Sequence, residues 1–264
     1  MKLIISPAKK MNVREDELEI SGAPAFPDKT GQLLQYMRGL TRDEAQKIWK
    51  CNDAIAELNY RRFLHMDLDR RLTPAILSYE GIQYQYMAPS IFQNMELDYI
   101  QSHLRILSGF YGILKPLDGI VPYRLEMQAK IDLTLGERHF TDLYGFWGDS
   151  IYRELVKDDR IVINLASKEY SKAVEPYLEP DVVFVNVVFG CMETDKKGNP
   201  KIKVKGTEAK MARGEMVRYL AEHQIQAPEP IRQFNRLGYR FRHELSDERN
   251  FIFIKESVAQ QQDF

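Results

Sequence analysis

Residues 104–127, LRILSGFYGILKPLDGIVPYRLEM, constrain this chain more than any other stretch. Apolar side chains fill it, yet Gly109, Gly112, Pro116, Gly119 and Pro122 interrupt it at close intervals, each freeing or fixing a backbone angle. Such a segment has to be buried and tightly turned. It then delivers a charged pair, Arg124 and Glu126, just past Pro122 and Tyr123. Paired charges leaving a buried turn suggest a site; a solvated surface ion pair is the competing reading. Two local structures fit. In one, a helix over residues 95–107 is capped by Gly109 and a second helix follows Gly112. That helix-hairpin-helix would turn backbone N–H groups toward a phosphate. In the other, LRILS is a short buried strand, and the FYG turn lines a cleft at its carboxyl end.

The remaining chain predicts mixed α/β structure. KLII (2–5), RIVINL (160–165) and DVVFVNVVF (181–189) are continuous apolar runs of the kind buried on both faces of one sheet. Residues 29–39 predict a helix. Thr41 with Glu44 three residues on is a capping-box signature for the next, which runs toward Leu64 with a break near Asn52. AILSY (75–79) reads as a strand, residues 81–93 as an irregular linker, and 128–142 as a hairpin turning near Gly136. Asp149 and Ser167 are placed to cap helices, and Thr207 to cap one over residues 208–223. Lys197–Gly198–Asn199 turns a hairpin into KIKVK, GYRFRHEL and NFIFIK form a last hairpin, and residues 257–264 are a polar tail. No repeat or low-complexity linker divides the chain, so a single domain over residues 1–264 is expected: a central mixed sheet flanked by helices.

If the strands are neighbours, their ends form one crevice. Ser6 and Lys9 follow the first strand, and Asn164 and Ser167 follow the strand at 160–165. Arg124, Glu126 and Trp147 come from loops placed to roof it, although a tryptophan is more often core than platform. Lys210 and Arg213, three apart, share a helix face. A crevice with Lys9, Arg124, Lys210 and Arg213 suits a phosphate or another small anion, including a nucleotide. Ser6, Lys9 and Glu126 supply a nucleophile, an activating amine and a base for a catalytic reading.

A net charge of −1 provides no global attraction to nucleic acid, so any such binding must be local. From Lys196 to Arg213 seven basic residues face one acidic residue, Glu208. Lys203, Lys205 and Lys210 lie in this run, and Arg232, Arg236, Arg240 and Arg242 follow among Phe234, Tyr239 and Phe241. A basic face interleaved with aromatics is a polynucleotide footprint; a solvated hairpin and helix is the plain alternative. Two distant cysteines and five scattered histidines give no metal-ligand spacing. No phosphate-loop, dinucleotide or nucleophile-elbow motif occurs, so neither a metal nor a cofactor is expected. No apolar run reaches membrane-span length and no secretion leader is visible, which predicts a cytoplasmic protein.

Five motifs carry a family resemblance: ISPAK, the 104–127 stretch, LYGFWGD, VINLASKEY and KMARGEM. In this order, across nearly the whole chain, they resemble the YaaA family of bacterial peroxide-stress proteins. The resemblance implies a cytoplasmic protein of the hydroperoxide response that limits iron-driven DNA damage. It implies a single α/β domain with a helix-hairpin-helix-like element at LSGFYGILKP. It also implies a basic cleft that binds double-stranded or branched DNA without strong sequence preference. Related domains look like base- or nucleotide-processing enzymes, which keeps an enzyme of that class as the alternative.

Overall fold

The computed structural model describes residues 1–14 and 17–256. Its frame is an eight-stranded mixed sheet. The strand Lys2–Ile5 lies near its middle, with Leu3, Ile4 and Ile5 fully buried. It pairs in parallel with Leu104–Ser108 on one side and Ile161–Asn164 on the other, registering Leu3 with Leu104 and Lys2 with Val162. Val183–Thr194 and then Asn250–Lys255 continue the parallel order. Antiparallel Gly112–Leu114 and Tyr239–Phe241 close the two edges. The three apolar runs read from the sequence are therefore strands of one sheet. Continuous hydrophobicity is what central parallel strands need, because helices cover both faces. The KIKVK hairpin also forms, with Pro200–Lys203 pairing against the far half of Val183–Thr194.

The helices follow local signals closely in the first third. Pro27–Gly39 carries proline in its first turn, and Thr41 and Glu44 make the expected capping box before Arg42–Trp49. Asn52 breaks and recaps the chain for Asp53–His65, its side chain accepting the Ile55 N–H. The hairpin Lys130–Leu135 and Arg138–Asp142 turns at Gly136, where φ is +59°.

Several expectations need correction. The chain from Asn94 to His103 is helix, but Leu104–Ser108 is strand and Gly112–Leu114 returns as strand. The central stretch is thus a buried β-hairpin, and no helix-hairpin-helix forms there. AILS is one helical turn between two short strand pairs rather than a strand. Residues 81–93 contain the helix Ile82–Met87 and the 3-10 turn Pro89–Ile91 rather than an irregular linker. LYGFW is a helix capped by Asp142, whose carboxylate accepts the Gly145 N–H at 2.9 Å. The long helix begins earlier than Thr207, at Gly206, with Lys205 in the cap position, and runs to Glu222. Asp149 and Ser167 stand at cap positions of Ser150–Leu155 and Lys168–Ser171 without side-chain capping bonds. The polar tail at 257–264 lies outside the described residues. No helix among the described residues is long and apolar enough to cross a membrane.

Candidate functional site

At the carboxyl ends of the central strands lies a cavity of about 420 Å³. Ser6 and Lys9 reach it from the first strand's exit, Arg124 and Glu126 from beyond Pro122, and Ser167 from the exit of Ile161–Asn164. Lys210 and Arg213 enter from the long helix, and Gln83 and Tyr84 from the helix Ile82–Met87. Tyr123, Glu169 and Tyr170 complete the wall.

The serines hold this crevice together. Ser6 Oγ accepts the Ser167 backbone N–H at 2.8 Å and lies 3.2 Å from Ser167 Oγ. The Ser6 carbonyl accepts the Tyr84 hydroxyl at 3.0 Å. With both its hydroxyl and its carbonyl engaged, Ser6 ties two strand ends to a helix. Deeper in, the Tyr123 hydroxyl contacts Ser108 Oγ at 2.6 Å and the Tyr79 hydroxyl at 3.0 Å. Burial pushes the Tyr123 phenol up to about 12 and that of Tyr170 well above its ordinary range, so both walls stay neutral.

Glu126 is the acidic centre. Its Oε1 lies 3.1 Å from Lys9 Nζ and 3.0 Å from an Arg124 terminal nitrogen. Both contacts are close enough for ion pairing, yet neither has hydrogen-bond geometry, and Oε1 keeps no donor from the protein. Among the described residues, five buried side-chain polar atoms lack a hydrogen-bond partner in the protein. Four of them, Gln83 Nε2, Arg124 Nε, Glu126 Oε1 and Arg213 Nε, belong to residues lining this one cavity. Buried polar groups are ordinarily satisfied, so such a concentration marks a surface built for a guest.

The Arg213 guanidinium has no acidic partner among the described residues, and burial lowers its pKa while leaving it charged. A close helix contact fixes its position. A Cβ on Gly214 would come within 2.0 Å of the Gln83 carbonyl oxygen, so the two backbones touch there. Glu169 is the carboxylate that sequence reasoning missed. Burial raises its pKa, with Glu126 adding repulsion, and its Oε1 accepts the Gln128 N–H at 3.4 Å. Its only sequence signal was a place in the VINLASKEY motif.

Other expected site residues lie elsewhere. Gly109 and Gly112 are buried in the hairpin turn and lie outside the cavity lining. The turn spends its Phe110 and Tyr111 N–H groups on Ser108 Oγ at 3.2 and 2.9 Å. Trp147 is fully buried core, donating its indole N–H to the Gly109 carbonyl at 3.0 Å. The Asn164 carboxamide donates to Asn186 at 2.8 Å and accepts the Ala166 N–H at 2.9 Å, supporting the strand end from outside the cavity lining. Lys203 pairs with Glu193 at 2.8 Å and Lys205 with Glu208 at 3.4 Å, both outside the lining. The later arginines are also engaged: Arg236 binds Glu215 and Glu222, and Arg232 lies over the Phe241 and Phe251 rings. Among the described residues no group of three or more His, Cys, Asp or Glu is placed to hold a metal ion.

Residues 1–245 match the family described as peroxide stress protein YaaA. A UPF0246 protein of Agathobacter rectalis is 51% identical over 256 residues, covering 97% of this chain and 99% of that protein. Similar proteins occur in Lachnoclostridium phytofermentans, 52% identical with coverages of 97% and 96%, and in Desulfitobacterium hafniense, 50% identical with 97% and 98%.

Proposed function

This chain belongs to the peroxide stress protein YaaA family, and from that premise we propose that it acts in the peroxide response by binding a nucleotide in the strand-end cavity. The observation that carries the reading is the set of buried, unpartnered donors on Gln83, Arg124 and Arg213 around a single cavity. Two guanidiniums with Lys210 at the rim match the charge and fork geometry of a phosphate. Tyr84, Tyr123 and Tyr170 give the neutral aromatic wall that a base stacks on, and the volume suits one small molecule rather than a duplex. On this reading the protein works in the cytoplasm as a single domain.

Titration calorimetry with nucleoside monophosphates, nucleosides and inorganic phosphate tests it. Saturable binding of the monophosphate is expected, with the nucleoside much weaker. Replacing Arg124 or Arg213 with alanine should each cost about tenfold or more in affinity, the scale of a lost charged hydrogen bond. Equal binding of nucleoside and nucleotide, or affinity indifferent to both arginines, would defeat the reading.

A second reading is DNA binding that shields double-stranded or branched DNA from iron-driven oxidation. One feature favours it: Lys196, Lys197 and Lys201 are exposed on the hairpin beyond Val183–Thr194 and make no ion pair among the described residues. The two readings use different surfaces and are separable by mutation.

A further inference from the structure

The cavity holds two carboxylates in unlike surroundings, and we infer that they form an acid–base pair, Glu126 the base and Glu169 the acid, for hydrolysis of the bond joining sugar to base in the bound nucleotide. The inference rests on the nucleotide reading above and adds a reaction to it.

The geometry is as follows. Glu126 lies between two cations, Lys9 at 3.1 Å and Arg124 at 3.0 Å, with Oε1 free of any hydrogen-bond donor from the protein. That setting leaves one carboxylate oxygen, lodged between two cations, open to accept a proton. Glu169 lines the same cavity but pairs with no cation among the described residues. Its Oε1 rests on the backbone N–H of Gln128, two residues past Glu126, so the two acids are tethered to one short segment. Burial, together with the Glu126 charge, favours the protonated form of Glu169. Two carboxylates in surroundings this unlike, one open between cations and one buried without a paired cation, divide into base and acid. The remaining titratable groups around Glu169 are Lys9, Tyr144 and Tyr170. Tyr144 donates its hydroxyl to the Glu169 carbonyl at 2.8 Å, which fixes that residue's backbone.

The reaction balances with water as the only co-reactant. Glu126 takes a proton from water as the water oxygen bonds to the sugar's anomeric carbon. The carbon–nitrogen bond breaks, and the departing base nitrogen takes the Glu169 proton with the electron pair. The products are a free base and a sugar phosphate. Arg124, Arg213 and Lys210 keep hold of the phosphate throughout. Ser6, bonded on both its oxygens, is not needed as a nucleophile.

The experiment incubates the full chain with nucleoside monophosphates, including one bearing an oxidised purine, and resolves products by chromatography beside a calorimetric binding measurement. Free base with sugar phosphate is expected from at least one substrate. Glu126→Gln and Glu169→Gln should each cut turnover by about 100-fold or more while the nucleotide still binds. Wild-type turnover should fall on the alkaline side as Glu169 loses its proton, and Glu169→Gln should remove that limb. Binding without release of base, or release of phosphate and nucleoside instead, overturns this inference and leaves the nucleotide reading standing. No nucleotide binding overturns both.

Discussion

Asp118 is a single residue with a readable effect on stability. It is buried, its Oδ2 accepts the Lys115 N–H at 2.8 Å, and burial pushes its pKa up to about 6. A carboxyl whose folded value exceeds its unfolded one binds its proton more tightly in the native state. Its stabilising contribution is therefore complete below about pH 4 and is lost as pH rises through about 6. At pH 7 the buried charge costs about 2–3 kcal/mol. Asp118→Asn keeps an oxygen for the Lys115 amide and removes the charge. Thermal melts should show the variant more stable than wild type at pH 7, by about 4 °C or more, and level with it near pH 4. A variant less stable at pH 7 would mean that attraction to the buried Arg105 outweighs the burial cost.

At the scale of an element, the turn between Ser108 and Gly112 acts as a platform under the cavity. A Cβ on Gly109 would lie 2.3 Å from the Leu125 carbonyl oxygen and 2.9 Å from the Glu126 carbonyl carbon. Glycine therefore lets the 125–126 backbone rest directly on the hairpin. Gly109→Ala should cost about 1–3 kcal/mol by overpacking and shift Glu126, seen as a lower melting temperature with weakened nucleotide binding. A fully stable, fully binding variant would show that the hairpin does not position the acid. The strands KLII and RIVINL were legible because central parallel strands must be apolar on both faces, and the Thr41 box because capping is local chemistry. The helix Ile82–Met87 was not legible: Gly81 at its start makes no side-chain cap, and its position depends on backbone contact with Gly214. Missing that helix hid Gln83 and Tyr84. Ser6, Lys9, Arg124, Glu126 and Arg213 could be grouped because strand ends and helix spacing are sequence properties. Glu169 could not, since its character comes from burial against residues some forty positions earlier.

For the whole molecule, a net charge of −1 makes duplex binding a question of one patch. Each phosphate contact releases counterions, so affinity through the Lys196–Lys201 hairpin should fall steeply with salt. Charge reversal of Lys196, Lys197 and Lys201 to glutamate should weaken all duplexes alike and flatten the salt slope by about 0.9 per lost contact. Nucleotide binding in the cavity should be untouched. Fluorescence anisotropy across a salt series checks this, and salt-insensitive binding or an unaffected triple variant would remove the hairpin from DNA recognition. The strand order has another consequence, in time rather than space. Lys2–Ile5 leaves the ribosome well before its sheet neighbours, residues 104–106 and 162–164. At roughly 5–20 residues per second, about 10–30 s pass before both flanks exist. During that interval Leu3, Ile4 and Ile5 form an unpaired apolar strand with two open edges, a template for other nascent chains. A holding chaperone on the nascent chain until residue 164 has cleared the exit tunnel would keep those edges from other chains.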